Sequence, residues 1–174
     1  MKNYMILFAI GKNRPGIVDE VTSYLFERKA NLEDSRMAVM GGRFSITCLF
    51  SCSNEELESI KSDIQSLINL GLVTSLHEAD NPESMKTEAS LPLKLEVISM
   101  DHPGIVQNVV HILKEHKVCI ISLETEIKTM PHSGAPMFDL ILEGSVPASQ
   151  SIAKVKDDLE NIASEMNLDL IFRN

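Results

Sequence analysis

Asn13-Arg14-Pro15-Gly16-Ile17-Val18 returns as Asp101-His102-Pro103-Gly104-Ile105-Val106, 88 positions later in a chain of 174 residues. An apolar run precedes each copy, Tyr4 to Ile10 and Leu93 to Met100, and a helical pattern follows each. A Pro-Gly turn between a strand and a helix has a physical meaning. Pro fits the first helical position, where its missing N–H costs nothing. Gly lets a backbone or a ligand approach closely. The helix start beyond it offers unpaired N–H groups and a partial positive charge, suited to a small anion such as a carboxylate. The spacing therefore predicts one small module present twice.

Working outward from the first turn, Ile17, Val18, Val21 and Leu25 keep helical spacing to about Lys29. Leu32 to Met40 ends at Gly41-Gly42, a hairpin signal. Arg43 to Cys52 continues as a strand with Phe44, Ile46, Cys48 and Phe50 on one face. Ser53-Asn54-Glu55-Glu56 has the spacing of a capping box. It predicts a helix with Leu57, Ile60, Ile64, Leu67 and Ile68 on the core side, stopped by Gly71 before a strand at Leu72 to His77. After the second turn, Ile105, Val106, Val109 and Leu113 repeat the first helix. Ile120 to Thr129 and Met137 to Glu143 form a hairpin whose loop, Met130 to Pro136, is longer. Ile152, Val155, Leu159, Ile162 and Ala163 match the earlier helix position for position, and Leu168 to Phe172 closes the chain.

Each half thus reads strand–helix–strand–strand–helix–strand. That order predicts an α+β chain of two ferredoxin-like βαββαβ domains, 1–79 and 93–174, joined by a polar linker over 80–92. Units this small leave sheet edges open, which pairing of the two halves or of two chains would cover, so a homo-oligomer is expected.

Composition narrows the function. The net charge of −9 and the absence of Trp oppose direct nucleic-acid binding, which needs clustered Lys and Arg or stacking platforms. Cys48, Cys52 and Cys119 lack metal-ligand or redox spacing, as expected of reduced intracellular thiols. The N-terminal apolar run is short for a signal peptide, and no run approaches a membrane span, so the expected location is cytoplasmic. His77, His102, His111, His116 and His132 form no metal-ligand set. Adjacent acids such as Glu33 with Asp34 diverge rather than converge on shared acid–base work. No catalytic residue, no metal and no cofactor is expected, and the chain is not read as an enzyme.

What remains is the turn with Asn31, which opens the second strand. Two amides near a helix N-terminus offer a donor and an acceptor to a zwitterion. The alternative is that Asn13 and Asn31 only shape turns.

The turn Asn13 to Val18, with Asn31-Leu32 after the first helix, resembles the ACT domain, a family of amino-acid-sensing modules of ferredoxin-like fold. Asn31 to Ala38, followed by Gly41 and Phe44, looks like the first repeat of the tandem ACT transcriptional regulators, which carry no other domain. The resemblance implies a ligand held between the first turn of one domain and a strand of its neighbour. It places Asn13, Arg14, Pro15, Gly16 and Ile17 on the turn side and Asn31 with Leu32 on the strand side. In the second repeat the turn residues are Asp101, His102, Pro103, Gly104 and Ile105, and Cys119 stands where Asn31 stood. The implied ligand is an amino acid, glycine or a similar one. The implied partner is a regulatory protein rather than DNA. An ACT pair that binds no metabolite and only docks a partner enzyme is the alternative.

Overall fold

A computed structural model describes residues 2–84, 89–130 and 134–173. The chain forms two compact units, Met1–Lys86 and Thr87–Asn174. In the first, β1 (Asn3–Lys12), α1 (Ile17–Glu27), β2 (Asn31–Met40), β3 (Arg43–Cys52), α2 (Asn54–Asp63), α3 (Gln65–Asn69) and β4 (Val73–Ala79) build an antiparallel sheet of order β2-β3-β1-β4. In the second, β5 (Ser90–Met100), α4 (Ile105–Glu115), β6 (Cys119–Thr129), β7 (Pro136–Pro147), α5 (Ile152–Met166) and β8 (Asp169–Arg173) repeat it as β6-β7-β5-β8. Both units are ferredoxin-like.

Alternation along the central strands creates each core. Met5, Leu7 and Ala9 of β1 share a buried face with Ile46, Cys48, Phe50 and Cys52 of β3, under Ile17, Val21, Tyr24 and Leu25 of α1. The second unit stacks Leu93, Leu95 and Val97 beside Leu140 and Leu142, under Val109, Leu113, Val155 and Leu159. Each fully buried aliphatic chain contributes about 1.5–3 kcal/mol, so these layers outweigh any surface ion pair. Among the described residues, the helices of each unit pack on this one face of its sheet.

The capping box forms as read: Ser53 Oγ accepts from the Glu56 N–H at 3.3 Å, and the Glu56 carboxylate accepts from the Ser53 N–H at 2.6 Å. Gly41 and Gly42, with φ of 56° and 76°, make the hairpin turn. Four readings are corrected. Pro15 is not the first helical residue, because the helix starts two residues later, at Ile17. The helix after Ser53 is broken at Ile64, where Tyr24 Oη donates to the Ile60 carbonyl at 2.5 Å and so intrudes on the helical ladder. Beyond that break Ile68 is 42% exposed, whereas its counterpart Ala163 on the continuous α5 is buried. Finally, Ser90 to Pro92 pair with Pro147 to Ser145 at the start of β5 and are strand rather than linker.

Candidate functional site

The repeated turn is a type II turn. Pro15 supplies the second position and Gly16, at φ 90° and ψ −10°, the third, where a left-handed backbone is required. The Ile17 N–H closes the turn on the Arg14 carbonyl at 3.4 Å, and the Glu20 N–H then takes the Gly16 carbonyl at 2.9 Å. No side chain caps α1. Among the described residues the Val18 and Asp19 N–H groups therefore have no backbone or capping partner. They lie at the edge of a shallow groove of about 500 Å³ lined by Asn13, Arg14, Gly16, Ile17, Val18, Asp19, Thr22 and Phe44. The hairpin completes it, since the Asn13 N–H donates to the Gly42 carbonyl at 3.1 Å.

Arg14 does not aim its charge into this groove. Its guanidinium binds both Glu20 oxygens, at 2.5 and 2.6 Å, and also donates to the Leu70 carbonyl at 3.2 Å. The Arg14 guanidinium holds the Glu20 carboxyl below its ordinary range. The pair ties the turn to α1 and to the end of α3. Asp19 is the acid left facing outward in the first helical turn.

Asn31 and Leu32 stand elsewhere. Asn31 pairs with Ser51, and Ser51 pairs with Tyr4, nine residues back along β1 from Asn13. At roughly 3.3 Å per residue that separation is about 30 Å. The reading of two amides beside one helix start is therefore wrong for a single unit. The cause is topological: β1 and β2 both run antiparallel to β3, so β2 begins where β1 began. Asn31 instead serves a local cluster at a bulge. Glu33 Oε1 accepts from Ser51 Oγ at 2.5 Å and from Lys2 Nζ at 3.0 Å, beside the bulge between Leu32 and Asp34. Hydrogen bonds from Ser51, then Asn31, then Lys2 bring the Glu33 carboxyl down to about 2.

The second turn keeps the backbone and changes the chemistry. Gly104 has φ 101° and caps α4 without a side-chain hydrogen bond to the helix N–H groups. Asn108, in the place of Glu20, sends both its N–H and its Nδ2 to the Gly104 carbonyl, at 3.0 and 2.9 Å. His102, in the place of Arg14, has Nδ1 3.2 Å from the Pro103 carbonyl. Asp101, in the place of Asn13, is exposed, and its N–H reaches the Pro136 carbonyl at 3.4 Å. The ion pair of the first turn is thus absent from the second.

The ACT domain family matches residues 3–77. UPF0237 protein MMP0657 of Methanococcus maripaludis is 33% identical over 75 residues, a match spanning 38% of this chain and 83% of that one. The chain belongs to the ACT-domain family. Its likeness extends beyond one ACT domain. The glycine cleavage system transcriptional repressor of Escherichia coli (strain K12) is 23% identical over 167 residues, 95% of this chain and 87% of the repressor. A crystal structure of an unknown protein from Galdieria sulphuraria superposes with a TM-score of 0.85 at 26% identity, over 99% of this chain and 98% of that one. The chain is a tandem ACT-domain protein that resembles the repressor.

Among the described residues no group of three His, Cys, Asp or Glu is placed to hold a metal, and no helix is long and apolar enough to cross a membrane. His132 lies outside the described residues. His116 is a core residue, its Nε2 2.7 Å from Asp158 between α4 and α5. Asp19 and Thr22, with Val18 and Phe44, line the groove without having been assigned to it from the sequence. The first two sit one helical turn apart at the start of α1, a spacing that could have flagged them.

Proposed function

We propose that this tandem ACT-domain protein is an amino-acid-responsive regulator that controls gene expression through a protein partner rather than by gripping DNA. The observation that carries the reading is the uncapped start of α1, whose Val18 and Asp19 N–H groups open beside Asn13 in a groove the size of a small metabolite. Likeness to a transcriptional repressor along 95% of the chain supports the regulatory role. The net charge of −9 favours protein contacts over phosphate contacts.

The ligand is a small zwitterion, glycine or one close to it. Its carboxylate takes the N–H pair, with Gly16 allowing close approach. Its ammonium takes the Asn13 side-chain oxygen and the Asp19 carboxylate. Asn31 and Leu32 contribute only from β2 of a second copy of the chain, because about 30 Å is far beyond the span of glycine. The working form is therefore a homo-oligomer. The second turn, with Asp101 for Asn13 and Asn108 already on the Gly104 carbonyl, is the poorer site.

Glycine has about five heavy atoms, so a ceiling near −1.5 kcal/mol per atom bounds its Kd at a few micromolar. Thermal unfolding against a panel of amino acids tests the reading. A ligand at about 100 times its Kd adds roughly 2.7 kcal/mol, or about 5–10 °C. The shift is expected to be selective and to vanish in Asn13→Ala. No shift with any amino acid at millimolar concentration overturns the sensor and leaves a ligand-free interaction module.

A further inference from the structure

The face of the second sheet turned away from its helices carries a second groove, remote in character from the turn. It has a volume of about 670 Å³ and is walled by Ile98, Met130 and Met137 beside Glu126, Lys128 and Asp139. Register explains the grouping. Glu126 stands directly opposite Asp139 across β6 and β7, and Asp139 directly opposite Ile98 across β7 and β5. Lys128 faces Met137 in the next row.

Two carboxylates placed opposite one another across a sheet repel. Here a single ammonium serves both: Lys128 Nζ lies 2.6 Å from Asp139 Oδ2 and 3.4 Å from Glu126. That arrangement is one positive charge short. It is also one donor short, because Asp139 Oδ1 is buried and has no hydrogen-bond partner among the described residues. An acceptor left in that state is costly, and a bound donor repays the cost. Lys128 itself is about half exposed, whereas the Asp139 side chain is only 13% exposed.

We infer that this groove binds an aliphatic primary amine that carries no carboxylate. Its ammonium supplies the missing charge and donor to Asp139 and Glu126, and its chain lies along Ile98, Met130 and Met137. Among the described residues no aromatic side chain lines the groove, so the cage a quaternary ammonium requires is not built from them. The unpaired negative charge rejects a carboxylate, so the free amino acids proposed for the first turn are excluded here. The inference stands independently of that proposal.

The test is titration of the full-length protein, at fixed ionic strength, with n-hexylamine, with 6-aminohexanoate as the matched zwitterion and with n-hexanol as the neutral analogue. Isothermal titration gives affinity, and methyl NMR of Met130 and Met137 gives location. Hexylamine is expected to bind and to move both methyl signals, with 6-aminohexanoate and hexanol weaker by roughly tenfold or more. Asp139→Asn is expected to weaken hexylamine by a similar factor and Lys128→Met to tighten it. Glu126→Gln, on the more exposed strand, provides a second loss-of-charge variant should Asp139→Asn fail to fold. Absence of hexylamine binding overturns the inference. So does equal binding of hexanol, or an affinity unchanged in both charge variants.

Discussion

Replacing Gly16 with Ala isolates the turn on which both halves depend. Gly16 sits at φ 90° and ψ −10°, and a Cβ built there meets no atom within 4 Å. Packing therefore contributes nothing, and the cost is the left-handed backbone alone, about 1–2 kcal/mol. The protein offers a selective probe, since its two tyrosines, Tyr4 and Tyr24, both lie in the first unit and it has no Trp. Urea unfolding followed by tyrosine fluorescence is expected to show a lower midpoint with an unchanged slope. Gly104→Ala, at φ 101°, carries the same backbone cost with Asn108 Nδ2 only 3.3 Å from the new Cβ. Its effect should appear in far-ultraviolet circular dichroism. A neutral or stabilised Gly16→Ala would refute the left-handed turn. A loss well above 3 kcal/mol, roughly twice the backbone cost, would refute the open space around it.

Two further outcomes concern the first unit. Glu33 titrates near 2 in the folded chain, against about 4.3 for a free Glu. Its interactions stabilise fully above about pH 4.3 and are lost as pH falls through the folded value. Carboxyl NMR should place the Glu33 midpoint near 2 in the parent and higher in Ser51→Ala; a parent midpoint near 4 contradicts the cluster. Tyr24→Phe removes the hydroxyl that donates to the Ile60 carbonyl from a side chain only 4% exposed. It should cost about 0.5–1.5 kcal/mol in chemical unfolding, and no loss would show that this hydrogen bond contributes nothing net.

Much of the architecture is legible locally. Alternation in Met5, Leu7 and Ala9 and helical spacing in Ile17, Val21 and Leu25 report which side of an element is buried, and the core follows. Ser53 and Glu56 announce a cap that depends only on residues three apart. Side chains that act across elements are not legible in this way. Nothing near Ile64 in the chain signals a break whose cause is Tyr24, 36 residues from the Ile60 carbonyl it binds. Arg14 looks available in the turn until Glu20 and Leu70 are brought against it. Both cases turn on a hydrogen bond satisfied by a partner that packing, rather than sequence neighbourhood, selects.

Taken by itself, the order of amino acids determined the tandem repeat, the βαββαβ order, the Pro-Gly turns and most residues of the two cores, though not the exposure of Val18, Ile68 and Val106. These depend on periodicity and on short-range backbone preference, which travel with the chain. Only the tertiary structure decided which of those residues meet. Strand direction put Asn31 about 30 Å from the Asn13 turn it was read with. Strand register put Glu126 against Asp139 with one lysine between them. A period of two tells a residue which face it shares. Which end of which neighbour it faces is set by pairing between strands distant in sequence.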